Sequence, residues 1–138
     1  MSPSAIVDTG PLVAFVDRRE SHHTWARERF GELGTPLLVC EPVLTEVLFL
    51  LRRLPQAQDG ILGQVGAGRL RIAFSLSDEI ADVRGLMVKY ADLPMSLADA
   101  CLVRMAELYG DHSVCTLDGD FRVYRKHGRQ AIPLITPR

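Results

Sequence analysis

Four carboxylates carry the chemistry that this sequence is able to do: Asp8, Glu46, Asp99 and Asp118. Asp8 ends the apolar stretch "SAIVD" and Asp118 ends "SVCTLD". Glu46 lies about one turn into the helical pattern "EPVLTEVLFLL", and Asp99 falls in the first turn of "SLADACLVRM". Each also has a purely structural use. Asp8 or Asp118 can cap the helix that follows it, Ser96 and Asp99 have the spacing of a capping box, and Glu46 can face solvent. Together, however, four like charges at one edge of a sheet repel one another, and no lysine lies close by in sequence to any of them. A cation is the economical remedy. Carboxylate oxygens without His or Cys select hard ions, Mg²⁺ or Mn²⁺. Such an ion polarises a phosphoryl oxygen and makes hydroxide available near neutral pH, and two of them about 3.5–4 Å apart clamp both oxygens of an in-line displacement.

The elements that must position these acids alternate along the chain. Short apolar runs at 4–7, 36–40, 70–74, 113–117 and 131–135 read as strands. Being apolar throughout rather than alternating, they suit strands covered on both faces. Between them lie helical patterns: "GPLVAFVD", "SHHTWARERFGEL", "EPVLTEVLFLLRR", "SDEIADVRGLMVKYADL" and "SLADACLVRMAELYG". In the third, Val43, Val47, Leu50, Leu51 and Leu54 are expected on one buried side. The alternation argues for an α/β fold with a mainly parallel sheet of about five strands. In such a sheet ligands bind outside the carboxyl ends of the strands, where these acids fall. The segment "QAQDGILGQVGAGRL", with glycines at 60, 63, 66 and 68, reads as a frayed helix and turn. It precedes a strand and has no Lys-Ser/Thr pair, so it is no phosphate-cradling loop.

The bulk properties set outer limits. A chain of 138 residues suits one compact domain over 1–138. Its content, 47% hydrophobic and 24% charged, is that of an ordinary soluble globule. Sixteen Lys+Arg against seventeen Asp+Glu give a formal net charge of −1, not the signature of a duplex-coating protein. Nucleic acid stays open, because bound divalent cations reverse the charge of an acidic cleft. Cys40, Cys101 and Cys115 are scattered in apolar settings and read as reduced core thiols. No apolar run approaches the ~20 residues of a membrane span, and the start lacks the pattern of a signal peptide. A cytoplasmic protein is expected.

In the pieces "IVDTGPLVAF", "EPVLTEVLFLL", "SLADACLVRMAELYG" and "VCTLDGDFRVY", in that order over almost the whole length, the chain resembles a PIN domain, the fold of metal-dependent ribonucleases that includes VapC-like toxins of toxin–antitoxin pairs. The resemblance implies a three-layer α/β/α sandwich and an acidic quartet of Asp8, Glu46, Asp99 and Asp118 around Mg²⁺ or Mn²⁺. It implies RNA as substrate, homodimerisation, a small antitoxin partner, and water as the nucleophile, leaving a 5′-phosphate and a 3′-hydroxyl. Thr9 and Thr116 match small polar positions that support the acids, and Ser96 matches the residue leading the third motif. In "LDGDF", Asp118 matches the direct ligand, while Asp120 is left to a supporting or capping role. The glycines at 60–68 are less typical of the family.

Other residues are assigned more loosely. Arg122 and Arg125 follow "LDGDF" and are expected one turn apart on a helix, where they would hold RNA phosphates. Arg18, Arg19, Arg27, Arg29 and Lys126 are further candidates for that task, against the alternative of a charge-balanced surface. The apolar breadth of Leu48, Phe49, Leu50 and Leu51 would suit a dimer or a bound antitoxin helix as well as the core. A non-catalytic RNA-binding or scaffold protein on the same fold is the competing function. A phosphatase using an Asp after the first strand would need a second Asp at position 10, which is Gly.

Overall fold

The computed structural model describes residues 2–137. Five short strands form a wholly parallel sheet: β1 (Ala5–Val7), β2 (Leu37–Val39), β3 (Leu70–Ile72), β4 (Ser113–Cys115) and a last strand, Leu134–Ile135. Their order is β3-β2-β1-β4 with Leu134–Ile135 at the far edge. Ile6 stands beside Leu38 on one side and Val114 on the other. Every residue of β1 and β2 is buried, as strands covered on both faces require. The outer strand β3 buries only Leu70.

The helices are α1 (Thr9–Val16), α2 (His23–Glu32), α3 (Glu41–Leu50), α4 (Pro55–Gly66), α5 (Leu76–Lys89) and α6 (Leu97–Leu108). Helix α1 packs on α2, α3 and α4, whereas α5 packs on α6. The chain steps from β1 to β2 to β3 in one direction and then crosses to β4 on the other side of β1. Because such crossovers are right-handed, the reversal puts the first group of helices and the second on opposite faces. The result is a three-layer α/β/α sandwich, as expected. The strand order reverses between β1 and β4, so the crevice of the fold opens at their carboxyl ends.

Three local readings are corrected. The glycine-rich segment is not frayed: α4 runs unbroken from Pro55 to Gly66. Pro55 opens it without cost, and Ile61, only 1% exposed, anchors it to the core. That packing outweighs the roughly 1 kcal/mol each interior glycine costs a helix. The turn comes later, at Gly68, whose φ of 80° is the left-handed region that glycine enters freely. On α3 the buried stripe is Val43, Leu44, Val47 and the following Leu51, while Leu50 is 55% exposed. At 100° per residue the stripe is centred between Val47 and Leu51, which leaves Leu50 at its edge. The run 131–135 divides in two. Gln130–Ala131 (β6) pairs antiparallel with Arg125–Lys126 (β5), and only Leu134–Ile135 (β7) joins the main sheet. His127 and Gly128, both at positive φ, make the turn between β5 and β6.

Candidate metal centre

Asp8 leaves the end of β1 with extended backbone and caps α1. Its amide still belongs to the sheet, donating to the Cys115 carbonyl at 2.9 Å. One carboxylate oxygen accepts the Thr9 amide at 2.7 Å, and the other accepts the Thr116 hydroxyl at 2.7 Å. The side chain is therefore fixed from the start of α1 and from the end of β4, and it is only 7% exposed. Gly10 lies tightly packed in the first turn of α1: a Cβ there would stand 3.1 Å from the Leu117 side chain, which would have to give way. That close approach brings the start of α1 against the segment leaving β4.

The two threonines extend the contacts outward. Thr116 is buried, and its oxygen also accepts the Asp118 amide at 2.9 Å. The Thr9 hydroxyl donates to Glu46 on α3 at 2.8 Å. Glu46, Asp8 and the backbone of Asp118 are thus tied through two hydroxyls. Asp118 itself is exposed and caps a single 3₁₀ turn, Gly119–Arg122, its carboxylate accepting the Asp120 amide at 2.9 Å. Asp120 stands exposed in that turn.

Asp99 is half-buried in the first turn of α6. It forms a complete capping box with Ser96: its amide donates to the Ser96 hydroxyl at 3.0 Å, and its carboxylate accepts the Ser96 amide at 3.3 Å. The same carboxylate oxygen accepts the Tyr124 hydroxyl at 3.2 Å. Tyr124 has no counterpart in the sequence reading. It is fully buried against Phe121 and Tyr90. It closes the piece "VCTLDGDFRVY", but in an irregular stretch nothing in its spacing marks it.

The charges feel one another. Burial pushes the Asp8 carboxyl up from 3.8 to about 6, against the lowering effect of its Thr116 and Thr9 hydrogen bonds, and the charges of Asp99 and Asp118 push the same way as burial. Asp99 is raised by burial and, further, by Asp118. Burial raises the Tyr124 hydroxyl, with Asp99, Asp120 and Asp118 adding to it. Asp8, Asp99 and Asp118 therefore share one electrostatic environment at the crevice between β1 and β4, with Glu46 joined through Thr9.

Among the described residues, though, no three His, Cys, Asp or Glu side chains stand as a ready-made metal shell. The acids gather at one edge without meeting at one point. Their chemistry nonetheless fits a hard cation. The donors are all oxygen, and Asp8 accepts one hydrogen bond on each oxygen, leaving lone pairs on both. A buried carboxyl that ionises only with difficulty is also one that a positive charge would relieve.

The arginines fall differently from expectation. Arg122 and Arg125 do not share a helix: Arg122 ends the 3₁₀ turn and Arg125 begins β5. One Arg125 nitrogen donates to the carbonyls of Arg122, Val123 and Tyr124 at 2.7, 3.3 and 3.1 Å, so this side chain ties its own loop. The 3₁₀ turn stops after one turn, at Arg122, and β5 begins three residues later. Lys126 is buried, with its ammonium 3.4 Å from the Gly110 carbonyl beyond α6, and Arg29 pairs with Glu28 and Glu32. The three cysteines are buried and free, as expected.

Known proteins resemble this chain in sequence and in fold. The PIN domain family model matches residues 5–127. Ribonuclease VapC26 of Mycobacterium tuberculosis is 29% identical over 115 residues, covering 82% of this chain and 85% of its own length. The crystal structure of Mycobacterium tuberculosis VapC20, a Sarcin-Ricin loop cleaving toxin, superposes with a TM-score of 0.78 over 87% of this chain and 94% of its own, at 20% identity. The last likeness concerns the fold, while the family model spans the strands and helices that carry all four acids. This chain belongs to the PIN domain family.

Proposed function

We propose that this chain, as one domain over 1–138, is a metal-dependent endoribonuclease that hydrolyses RNA phosphodiester bonds. The reading continues to a cytoplasmic toxin, homodimeric and silenced by a small antitoxin protein. The observation that carries it is the burial of Asp8 at the crevice of the fold, held by Thr9 and Thr116, whose hydroxyls also reach Glu46 and the backbone of Asp118. A similar protein is a ribonuclease by name, and a protein of like fold is a Sarcin-Ricin loop cleaving toxin. Among the described residues no helix is long and apolar enough to cross a membrane.

In this reading Asp8, Glu46, Asp99 and Asp118 hold Mg²⁺ or Mn²⁺, with Asp120 beside them. When bound, such an ion supplies Lewis-acid polarisation of the phosphoryl group and lowers the pKa of water. The protein's own part is orientation. Thr9 and Thr116 fix the Asp8 carboxylate, Ser96 and Tyr124 fix Asp99, and the sandwich keeps Asp8 from bulk water. A quartet carboxylate orients the attacking water, and in-line displacement leaves a 5′-phosphate and a 3′-hydroxyl. Phe49, 61% exposed, and Leu50 lie on α3 within a turn of Glu46. This apolar patch is a place for the antitoxin or the second copy to cover.

The test is cleavage of total RNA in Mg²⁺ or Mn²⁺ by wild type, Asp8→Asn and Asp99→Asn. Each variant should fall to roughly 1% of wild type or less, because a lost ligand costs at least what a lost outer-shell partner does. Calorimetric titration with Mn²⁺ should show weakened binding in both. Cutting that survives both substitutions would sink the mechanism. A wild type that binds RNA yet neither cuts it nor takes up Mn²⁺ would make the chain a non-catalytic RNA-binding protein.

A further inference from the structure

At the opposite end of α1 from Asp8, a cavity of about 1010 Å³ gathers positive charge. Arg18 and Arg19 enter it from just beyond α1, Arg27 from α2 and Arg53 from the turn between α3 and α4. Four guanidinium groups face one lining carboxylate, Asp17, in a chain whose formal net charge is −1. Only Arg19 is paired with that acid, at 3.4 Å. Among the described residues Arg18, Arg27 and Arg53 have no carboxylate within ion-pair distance, and all three are exposed. Unpaired cations brought together in a concave surface repel one another and focus a positive potential on whatever enters it.

Two further features say what would enter. The first turn of α4, at Pro55, lines the same cavity, and no side chain caps it, so the positive end of that helix dipole adds to the arginines. The Arg27 guanidinium lies 5.1 Å over the ring of Phe15 at the rim, which makes a flat cationic and aromatic surface. Phosphates beside a stacking platform are what single-stranded nucleic acid presents to a protein.

We propose that this cavity is a second RNA contact, holding the backbone of the bound strand away from the bond that is cut. It rests on the nuclease reading in one respect, that the same strand reaches Asp8. The spacing follows from α1. Eight residues at 1.5 Å each separate the two ends by about 12 Å, a span of a few nucleotides. Helices α1 and α3 both follow strands of one parallel sheet and run the same way, so Glu46 precedes Arg53 along α3 as Asp8 precedes Arg18 along α1. Asp8 marks the start of α1 and Glu46 lies midway along α3, while the arginines lie past the far ends of both helices.

The experiment is fluorescence anisotropy with a labelled single-stranded RNA of about twelve nucleotides, in EDTA so that nothing is cut, between about 50 and 200 mM NaCl. Wild type is compared with Arg27→Gln/Arg53→Gln and with Arg84→Gln/Arg129→Gln, a control that removes two exposed arginines elsewhere. Loss of two phosphate contacts should lower the slope of log K against log salt by about 1.4 and weaken binding roughly tenfold at the higher salt. The control should match wild type, and a trinucleotide should not distinguish the cavity variant from wild type. Coincident slopes and affinities for wild type and the cavity variant would overturn the contact, as would a wild type that binds no RNA. Cleavage is scored in parallel. If cutting depends on Asp8 while the slopes coincide, the contact fails and the nuclease stands. If the slope depends on the arginines while neither metal gives cutting, the nuclease fails and the contact stands.

Discussion

Asp8 and Asp118 are placed alike by the sequence and treated oppositely by the fold. Each follows one of the two central strands, each caps the helical turn after it, and each touches Thr116. Yet Asp8 is buried, with both oxygens engaged and its carboxyl pushed up to about 6, whereas Asp118 is exposed on a turn of four residues. The difference comes from what covers them. Eight residues of α1 lie over Asp8, pulled down by Pro11, Leu12, Val13 and Ala14, while the 3₁₀ turn after Asp118 anchors itself by Phe121 alone. A candidate metal centre built this way has one rigid wall and one wall that can adjust. Substitutions should separate the two.

The largest effect on stability is expected at the residue both acids share. Thr116→Val removes the hydroxyl that donates to buried Asp8 and accepts from Asp118. Losing a hydrogen bond to a charged, desolvated partner should cost about 2–3 kcal/mol of unfolding free energy, measurable by urea denaturation. In the nuclease reading cleavage should also fall about 10–100-fold, the usual effect of losing an outer-shell partner.

Next comes Asp8→Asn, with the opposite sign. The native carboxyl holds its proton up to about pH 6, above the ordinary 3.8 of an unfolded chain. The stabilisation this gives is complete below 3.8, declines between 3.8 and 6, and is gone above that. A shift of this size corresponds to about 3 kcal/mol. In EDTA near pH 7.5, Asn carries no charge to bury, though it gives up a carboxylate hydrogen bond, so the variant should be about 1–2 kcal/mol more stable than wild type. Near pH 4 the advantage should vanish, and added Mn²⁺ should raise wild type selectively. An Asp8→Asn protein equal to wild type at both pH values would show that burial does not burden this carboxylate.

How much of this could be read from the chain depends on what fixes each feature. The central strands and the acids after them were legible because fully covered strands are apolar throughout, and because the acid directly after such a run has one place to go. The burial of Asp8 was not legible: it comes from α1 and from Thr116, more than a hundred positions away in sequence. Helix α4 is hidden in the sequence because glycine propensity is local, while the anchoring of Ile61 is tertiary. Arg122 and Arg125 part for a similar reason: their spacing is helical, but the chain makes only a 3₁₀ turn that ends at Arg122. Tyr124 was silent because a buried hydroxyl on an irregular stretch has no period. Arg18 and Arg27 stand among the candidates for RNA phosphates in the sequence, but Arg53 does not, and nothing joins the three until the fold brings them to one cavity.

A smaller effect should follow from Tyr124→Phe. It removes the hydroxyl from Asp99 and keeps the ring against Phe121 and Tyr90. The cost should be about 1 kcal/mol. The Asp99 carboxyl, which that bond pulls down, should titrate higher than in wild type by NMR. An unchanged Asp99 titration would mean that Ser96 alone holds this side chain.

The smallest change in stability is expected at the adjustable wall. Asp118→Asn keeps an oxygen to accept the Asp120 amide, so the cap survives. The side chain is exposed, and unfolding free energy in EDTA should stay within about 0.5 kcal/mol of wild type. Relief of the repulsion it exerts should lower the titration of Asp8 and Asp99, since its charge raises both. In the nuclease reading Mn²⁺ affinity and cleavage should nevertheless fall as far as they do for Asp8→Asn. Two variants with equal losses of metal binding, one more stable than wild type and one unchanged, would show that both acids serve one ion while only the buried one burdens the fold. If Asp118→Asn instead keeps its affinity for Mn²⁺, the adjustable wall is a cap and no ligand, and the metal belongs to Asp8, Glu46 and Asp99 alone.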